Sequence, residues 1–176
     1  MQIVNKNLIL LGMMGVGKTT IGKIVAKTQG LEFIDTDAYI EQKNLMTVKE
    51  IFKKKGENYF RSEEKKYTLK LIKKNNCVIA LGGGAFINKS IRKSILKNCI
   101  SIWLDANTNI LSKRVKWNQQ RPLLNDKNVV TKINKLYAER KNVYKLSDHK
   151  IICDQLNKKE IVKKINTFYD KKKNNS

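Results

Sequence analysis

The chain has 176 residues, a formal net charge of +22 and a single histidine. That length supports one domain with a full core, and one histidine with three cysteines at no metal-ligand spacing excludes zinc chemistry and histidine-centred triads. The charge is spread over nearly every segment without aromatic residues interleaved to stack on bases, so it reads as a bias toward Lys, Asn and Ile, and no nucleic-acid partner is expected.

The apolar run Leu8 to Leu11 reads as a strand. It lacks the length, basic flank and cleavage site of a signal peptide, so a soluble, cytoplasmic protein with no membrane partner is expected. Directly behind it stands Gly12-Met13-Met14-Gly15-Val16-Gly17-Lys18-Thr19, a G-x-x-x-x-G-K-[ST] loop, followed by Thr20. Such glycines let backbone N–H groups curl around phosphate oxygens, while Lys18 reaches the terminal phosphates and Thr19 holds magnesium. An amphipathic helix through Ile21, Ile24 and Val25 opens at Lys18, so its positive N-terminus points at the same anion.

Helix signals run to about Gly30, and Leu31 to Asp35 reads as a second strand ending in an acidic turn. Asp37 to Lys74 is helical, with breaks near Asn44 to Thr47 and Lys55 to Gly56. Cys77 to Leu81 is an apolar strand running into Gly82-Gly83-Gly84, followed by a helix around Lys89 to Lys97, a strand Cys99 to Leu104 and a helix from about Asn107. The polar stretch Lys116 to Asp126 holds the only proline, Pro122, and reads as a loop or lid. A helix Val129 to Leu146, a strand Lys150 to Cys153 and a helix Lys158 to Tyr169 close the fold, with a frayed tail from Lys171. Cys77, Cys99 and Cys153 sit among apolar residues and are expected as reduced core cysteines.

Short apolar strands alternating with helices indicate an α/β fold, a parallel sheet covered on both faces. In such sheets ligands lie beyond the carboxyl ends of the strands. The phosphate loop, Asp35 with Asp37, and the triple glycine each follow such an end, so three distant motifs are expected to line one cleft.

Arginine is the scarce cation: of 37 basic residues only Arg61, Arg92, Arg114, Arg121 and Arg140 are arginines. Where any positive charge suffices this chain uses lysine, so an arginine marks a place that needs the forked guanidinium for a carboxylate or phosphate. Arg92, on a polar helix face, is read as an ordinary surface residue. Arg61 has Glu64 as an orienting partner three residues on. Arg121 lies on the lid, where closure would bring positive charge onto a transferring phosphoryl group and exclude water. Asp35 and Asp37 can face the same side if the chain stays extended there, one organising the metal and the other meeting the acceptor. Either can instead cap the next helix.

In this order, the phosphate loop, Phe33-Ile34-Asp35-Thr36-Asp37, Ile51-Phe52, Gly56-Glu57, Phe60-Arg61-x-x-Glu64, Leu81-Gly82-Gly83-Gly84, Arg121-Pro122-Leu123-Leu124 and Tyr137-x-x-Arg140 closely resemble the shikimate kinase family, from about Leu8 to Tyr169. The resemblance implies a three-layer P-loop fold with a five-stranded parallel sheet in the order 2-3-1-4-5. One domain is then expected, with its core at 1–36, 75–113 and 127–170, a substrate-binding segment at about 37–62, a lid at about 114–126 and a flexible tail at 171–176. It implies transfer of the γ-phosphoryl group of ATP to the 3-hydroxyl of shikimate, by a monomer acting in chorismate and aromatic amino acid biosynthesis.

By the same resemblance Gly12 to Thr20 bind ATP, and Thr19 and Asp35 serve Mg2+. Asp37 contacts the ring hydroxyls as the candidate base, and Arg61 and Arg140 grip the substrate carboxylate. Gly82, Gly83 and Gly84 offer backbone contacts, and Phe52 and Phe60 form apolar walls. Arg121 meets the phosphates and Arg114 stacks on adenine. Two alternatives stay open: another small-molecule or nucleotide kinase of gluconate kinase-like type, and a nucleic-acid-stimulated ATPase using Ile100 to Asp105 as a Walker-B strand.

Overall fold

The computed structural model describes residues 6–117 and 129–174. Five strands, β1 (Leu8–Leu11), β2 (Glu32–Asp35), β3 (Cys77–Ala80), β4 (Ile100–Asp105) and β5 (His149–Ile152), form one sheet in the order β2-β3-β1-β4-β5. All neighbours are parallel, with Leu10 opposite Ala80 on one side and Ile102 on the other. Strands β1, β3 and β4 are buried throughout, which is why they read as unbroken apolar runs without alternation. The expected architecture and strand order are those observed.

Seven helices among the described residues complete the fold: α1 (Lys18–Gln29), α2 (Thr36–Asn44), α3 (Val48–Ile72), α4 (Lys89–Asn98), α5 (Thr108–Trp117), α6 (Val129–Tyr144) and α7 (Lys158–Asn174). Gly30, in the left-handed conformation at φ 65°, ends α1. Helix α3 starts at a capping box in which Thr47 and Glu50 satisfy each other's backbone N–H groups. It bends at Gly56, whose φ of 83° and ψ of 170° lie where residues with a Cβ are rarely found. Helices α2 and α3 share a small core of Ile40, Ile51 and Phe60, separate from the core around the sheet. Burying each of these three side chains is worth about 1.5–3 kcal/mol, enough to hold the helical pair as its own packed unit.

Two local expectations are corrected. The chain does not stay extended from Asp35 to Asp37: α2 begins at Thr36, and Asp35 is its cap, with Oδ1 accepting from the N–H groups of Asp37 and Ala38 at 3.0 and 3.3 Å. Helix α7 continues through Lys171 to Asn174, past the expected start of the tail, because Tyr169 is fully buried and Lys173 pairs with Asp170 and reaches Gln29 of α1. The three cysteines are buried free thiols, and burial pushes Cys99 up to about 12 and Cys153 up to about 11, leaving them unreactive. No described helix is long and apolar enough to cross a membrane.

Candidate active site

The phosphate loop links the end of β1 to the start of α1 and takes its shape from Gly12, Gly15 and Gly17, all with positive φ. Met13, Met14 and Val16 turn inward and are buried, so the loop rests on the core and its backbone faces out. Lys18 is buried, and its Nζ donates to the carbonyls of Gly12 and Met13 at 3.0 and 3.1 Å. Thr19 and Thr20 are exposed at the first turn, and Thr19 Oγ1 donates to Asp35 Oδ2 at 2.6 Å. A cavity of about 590 Å³ opens here between Gly15 to Thr20, the two aspartates and the α5 residues Lys113 and Arg114. Arg114 leans back toward the loop, with Nη1 3.5 Å from the Gly15 carbonyl.

A second cavity, of about 260 Å³, lies beside the first and shares Asp35 and Asp37 with it. The α2–α3 pair supplies Phe52, Phe60, Arg61 and Glu64, the triple-glycine loop supplies Gly83 and Gly84, and α6 supplies Arg140. The Phe52 and Phe60 rings pack at 4.9 Å as an apolar wall. Arg61 donates from Nη1 to Glu64 at 2.8 Å and from Nη2 and Nε to Glu57 at 3.1 and 3.3 Å. The guanidinium edge is thus fixed before any ligand arrives.

The three glycines are needed for three different neighbours. A Cβ at Gly82 would stand 2.5 Å from Asp37 Oδ1 and 2.9 Å from Glu64 Oε1. One at Gly83 would stand 3.3 Å from Arg140 Nη1, and one at Gly84 would stand 2.5 Å from Arg61 Nη1. Removing the side chains lets backbone approach every charged group at this end of the cleft. Thr36 Oγ1, fully buried, accepts from the Gly82 N–H at 2.8 Å and pins the loop to the start of α2.

Glu64 is the buried carboxylate of the site, 2% exposed. Burial pushes its pKa up, Arg61 pulls it down, Asp37 pushes it up and Arg140 pulls it down, with a net rise. Burial works against the charge on Arg61, but Glu64 and Glu57 outweigh it and hold the guanidinium above its ordinary value. Arg61 thus stays charged, and both it and Arg140 line the cavity.

Phosphate loop, acidic pair, arginine pair and glycine loop, scattered over 129 residues from Gly12 to Arg140, meet at one end of the sheet. The family model for shikimate kinase matches residues 14–170. The chain belongs to the shikimate kinase family. A shikimate kinase of Sulfurihydrogenibium sp. is 41% identical over 150 residues, covering 85% of this chain and 89% of that protein. One of Bartonella quintana is 48% identical over 137 residues, 78% of this chain and 65% of the relative. Among solved structures, a shikimate kinase from Acinetobacter baumannii in complex with shikimate superposes with a TM-score of 0.92 at 31% identity, covering 97% of this chain and 96% of that one.

Membership of the shikimate kinase family makes the chain a P-loop kinase and disfavours both alternatives. Asp105, the Walker-B candidate, is paired with Lys150 of β5 at 2.7 Å and accepts from the Tyr137 hydroxyl at 3.2 Å. Of the residues expected at the site, Arg121 and the lid sequence from Asn118 to Asp126 lie outside the described residues. Gly82 backs the second cavity without lining it, and Gly12, Met13 and Val16 support the loop from beneath. Lys113 and Glu41 also line the cavities without having stood out in the sequence, where Glu64 appeared only as a partner for Arg61. Glu64 had a signal, since a glutamate three residues from a scarce arginine in a helix is placed to hold it. Lys113 was one lysine among many.

Proposed function

We propose that this chain phosphorylates the 3-hydroxyl of shikimate with ATP, the donor lying in the larger cavity and the acceptor in the smaller. The observation that carries this reading is the meeting of the two cavities at Asp35 and Asp37, with a phosphate loop on one side and two inward-facing arginines on the other. A small polyol carboxylate fits that polarity. Arg61 and Arg140 take the carboxylate, Phe52 and Phe60 hold the ring's apolar face, and Asp37 takes the hydroxyl end.

Asp37 orients the attacking hydroxyl and accepts its proton as the bond to phosphorus forms. Phosphoryl transfer depends mainly on positioning and charge neutralisation. Lys18 turns from the loop carbonyls to the phosphates, the backbone N–H groups of the loop hold the phosphate oxygens, and Arg121 adds charge from the lid. Arg114, beside Gly15 at the loop's outer end, stacks on adenine.

Thr19 and Asp35 would hold Mg2+: a hydroxyl and a carboxylate oxygen 2.6 Å apart, open to the cavity, are hard donors suited to a cation that keeps most of its water shell and binds phosphate. When bound, the ion neutralises charge on the β and γ phosphates. Within the reading, the protein acts as a cytoplasmic monomer in chorismate biosynthesis, without a nucleic-acid partner.

The test is ADP release with shikimate, gluconate, a nucleoside monophosphate or DNA as the added component. Stimulation by shikimate alone is expected. Stimulation by any of the others, with none by shikimate, overturns the assignment.

A further inference from the structure

Tyr144 closes helix α6 one turn after Arg140, so the two side chains lie on the same face of the helix. It is fully buried, and its hydroxyl hydrogen donates to the carbonyl of Gly83. Arg140 lies one turn earlier on the same helix face, and its charge acts on the hydroxyl, pulling its pKa down against the larger effect of burial. Met13 of the phosphate loop completes the surroundings, with its sulfur 3.9 Å from the same oxygen. The ring is held from behind by Trp103 of β4, centroid to centroid 5.7 Å. One hydroxyl thus touches the glycine loop and the phosphate loop from the helix that carries the acceptor arginine.

We propose that Tyr144 is a positioning residue for the acceptor: it fixes Arg140 and the Gly83 backbone relative to each other and to the phosphate loop, so that the substrate carboxylate meets a preset guanidinium. This rests on the reading in which Arg140 grips that carboxylate. The geometry makes the role specific. Gly83 lacks a Cβ that would stand 3.3 Å from Arg140 Nη1, so guanidinium and loop already touch on the cavity side. The tyrosine hydroxyl holds the loop to the helix of Arg140 from the buried side. Burial also pushes the hydroxyl's pKa up, so it remains a donor to the carbonyl at working pH.

Tyr144→Phe removes the oxygen and keeps the ring against Trp103. The KM for shikimate is expected to rise about threefold to tenfold, the loss of one buried hydrogen-bonding group, with kcat and the KM for ATP unchanged within about twofold. Tyr169→Phe is the control for a purely structural effect, because that hydroxyl is equally buried and donates to the Lys6 carbonyl at 2.8 Å, away from the cleft. It should lower the melting temperature without moving either KM. If Tyr144→Phe loses melting temperature like the control and leaves the shikimate KM where it was, the hydroxyl is structural and the inference fails. Arg140→Lys separates this from failure of the underlying reading: an unchanged shikimate KM there removes Arg140 from the acceptor site altogether.

Discussion

The two halves of the cleft are built in opposite ways. In the proposed reading the donor half is backbone: eight consecutive residues, Gly12 to Thr19, curl into a loop that would bind through its amides, with one lysine and one hydroxyl added. The acceptor half is side chain: Asp37, Arg61, Glu64 and Arg140 come from three helices, and a loop stripped of side chains lets them converge. A contiguous backbone site can be transferred whole between proteins and recognises any nucleoside polyphosphate. A convergent side-chain site depends on the packing of α2, α3 and α6, and the proposed reading puts specificity there.

Substitutions can break that division, beginning with the largest effect. Asp37→Asn should lower kcat by about 10²- to 10⁴-fold with little change in shikimate affinity, as removal of a proton acceptor does. Single-turnover rates and equilibrium binding measured side by side check this, and retained turnover removes Asp37 from the chemistry. Arg61→Lys should weaken shikimate binding by roughly 1.5–3 kcal/mol while sparing ATP, since a point charge cannot replace a fork. Gly84→Ala should act in the same direction by displacing the Arg61 guanidinium, because its Cβ would stand 2.5 Å from Nη1. A rise in the KM for ATP with either variant would show that the halves are not separable.

A subtler effect concerns pH. Glu64 has its folded pKa raised above the ordinary 4.5 by burial and by Asp37. The folded state therefore holds this proton more tightly than the unfolded chain, so the associated stability is complete below the ordinary carboxylate range and is lost as pH rises through the folded value. Glu64→Gln should flatten the fall in melting temperature across that window. An unchanged pH profile would place the charge on Glu64 at no net disadvantage in the fold.

The sheet and the donor half were legible because their signals are local. Apolar runs of strand length, a strand-loop-helix setting and glycines at fixed offsets each lie within a dozen residues. The acceptor half was legible in its rare arginines, in the aspartates and glycines placed at strand ends, and through its resemblance to a family. The spacing of Asp35 and Asp37 left two readings open, an extended chain or a helix cap, and the structure takes the second: Asp35 caps α2 and Asp37 sits in the helix's first turn. Tyr144 left no trace: at the end of an amphipathic helix it resembles any buried aromatic residue, and only the fold brings Gly83 to its hydroxyl.

The bend at Gly56 is a matter of phase. Along an unbroken α-helix successive side chains advance by about 100°, so residues nine apart, as Phe52 and Arg61 are, would emerge on opposite sides. Both line the same cavity here. Nothing lies within 4 Å of where a Cβ at position 56 would be, so the site is open to larger residues by volume and closed to them by torsion. That single dihedral resets the rotation of α3 midway, bringing the aromatic wall and the guanidinium to one side of a helix that regular geometry would have kept apart.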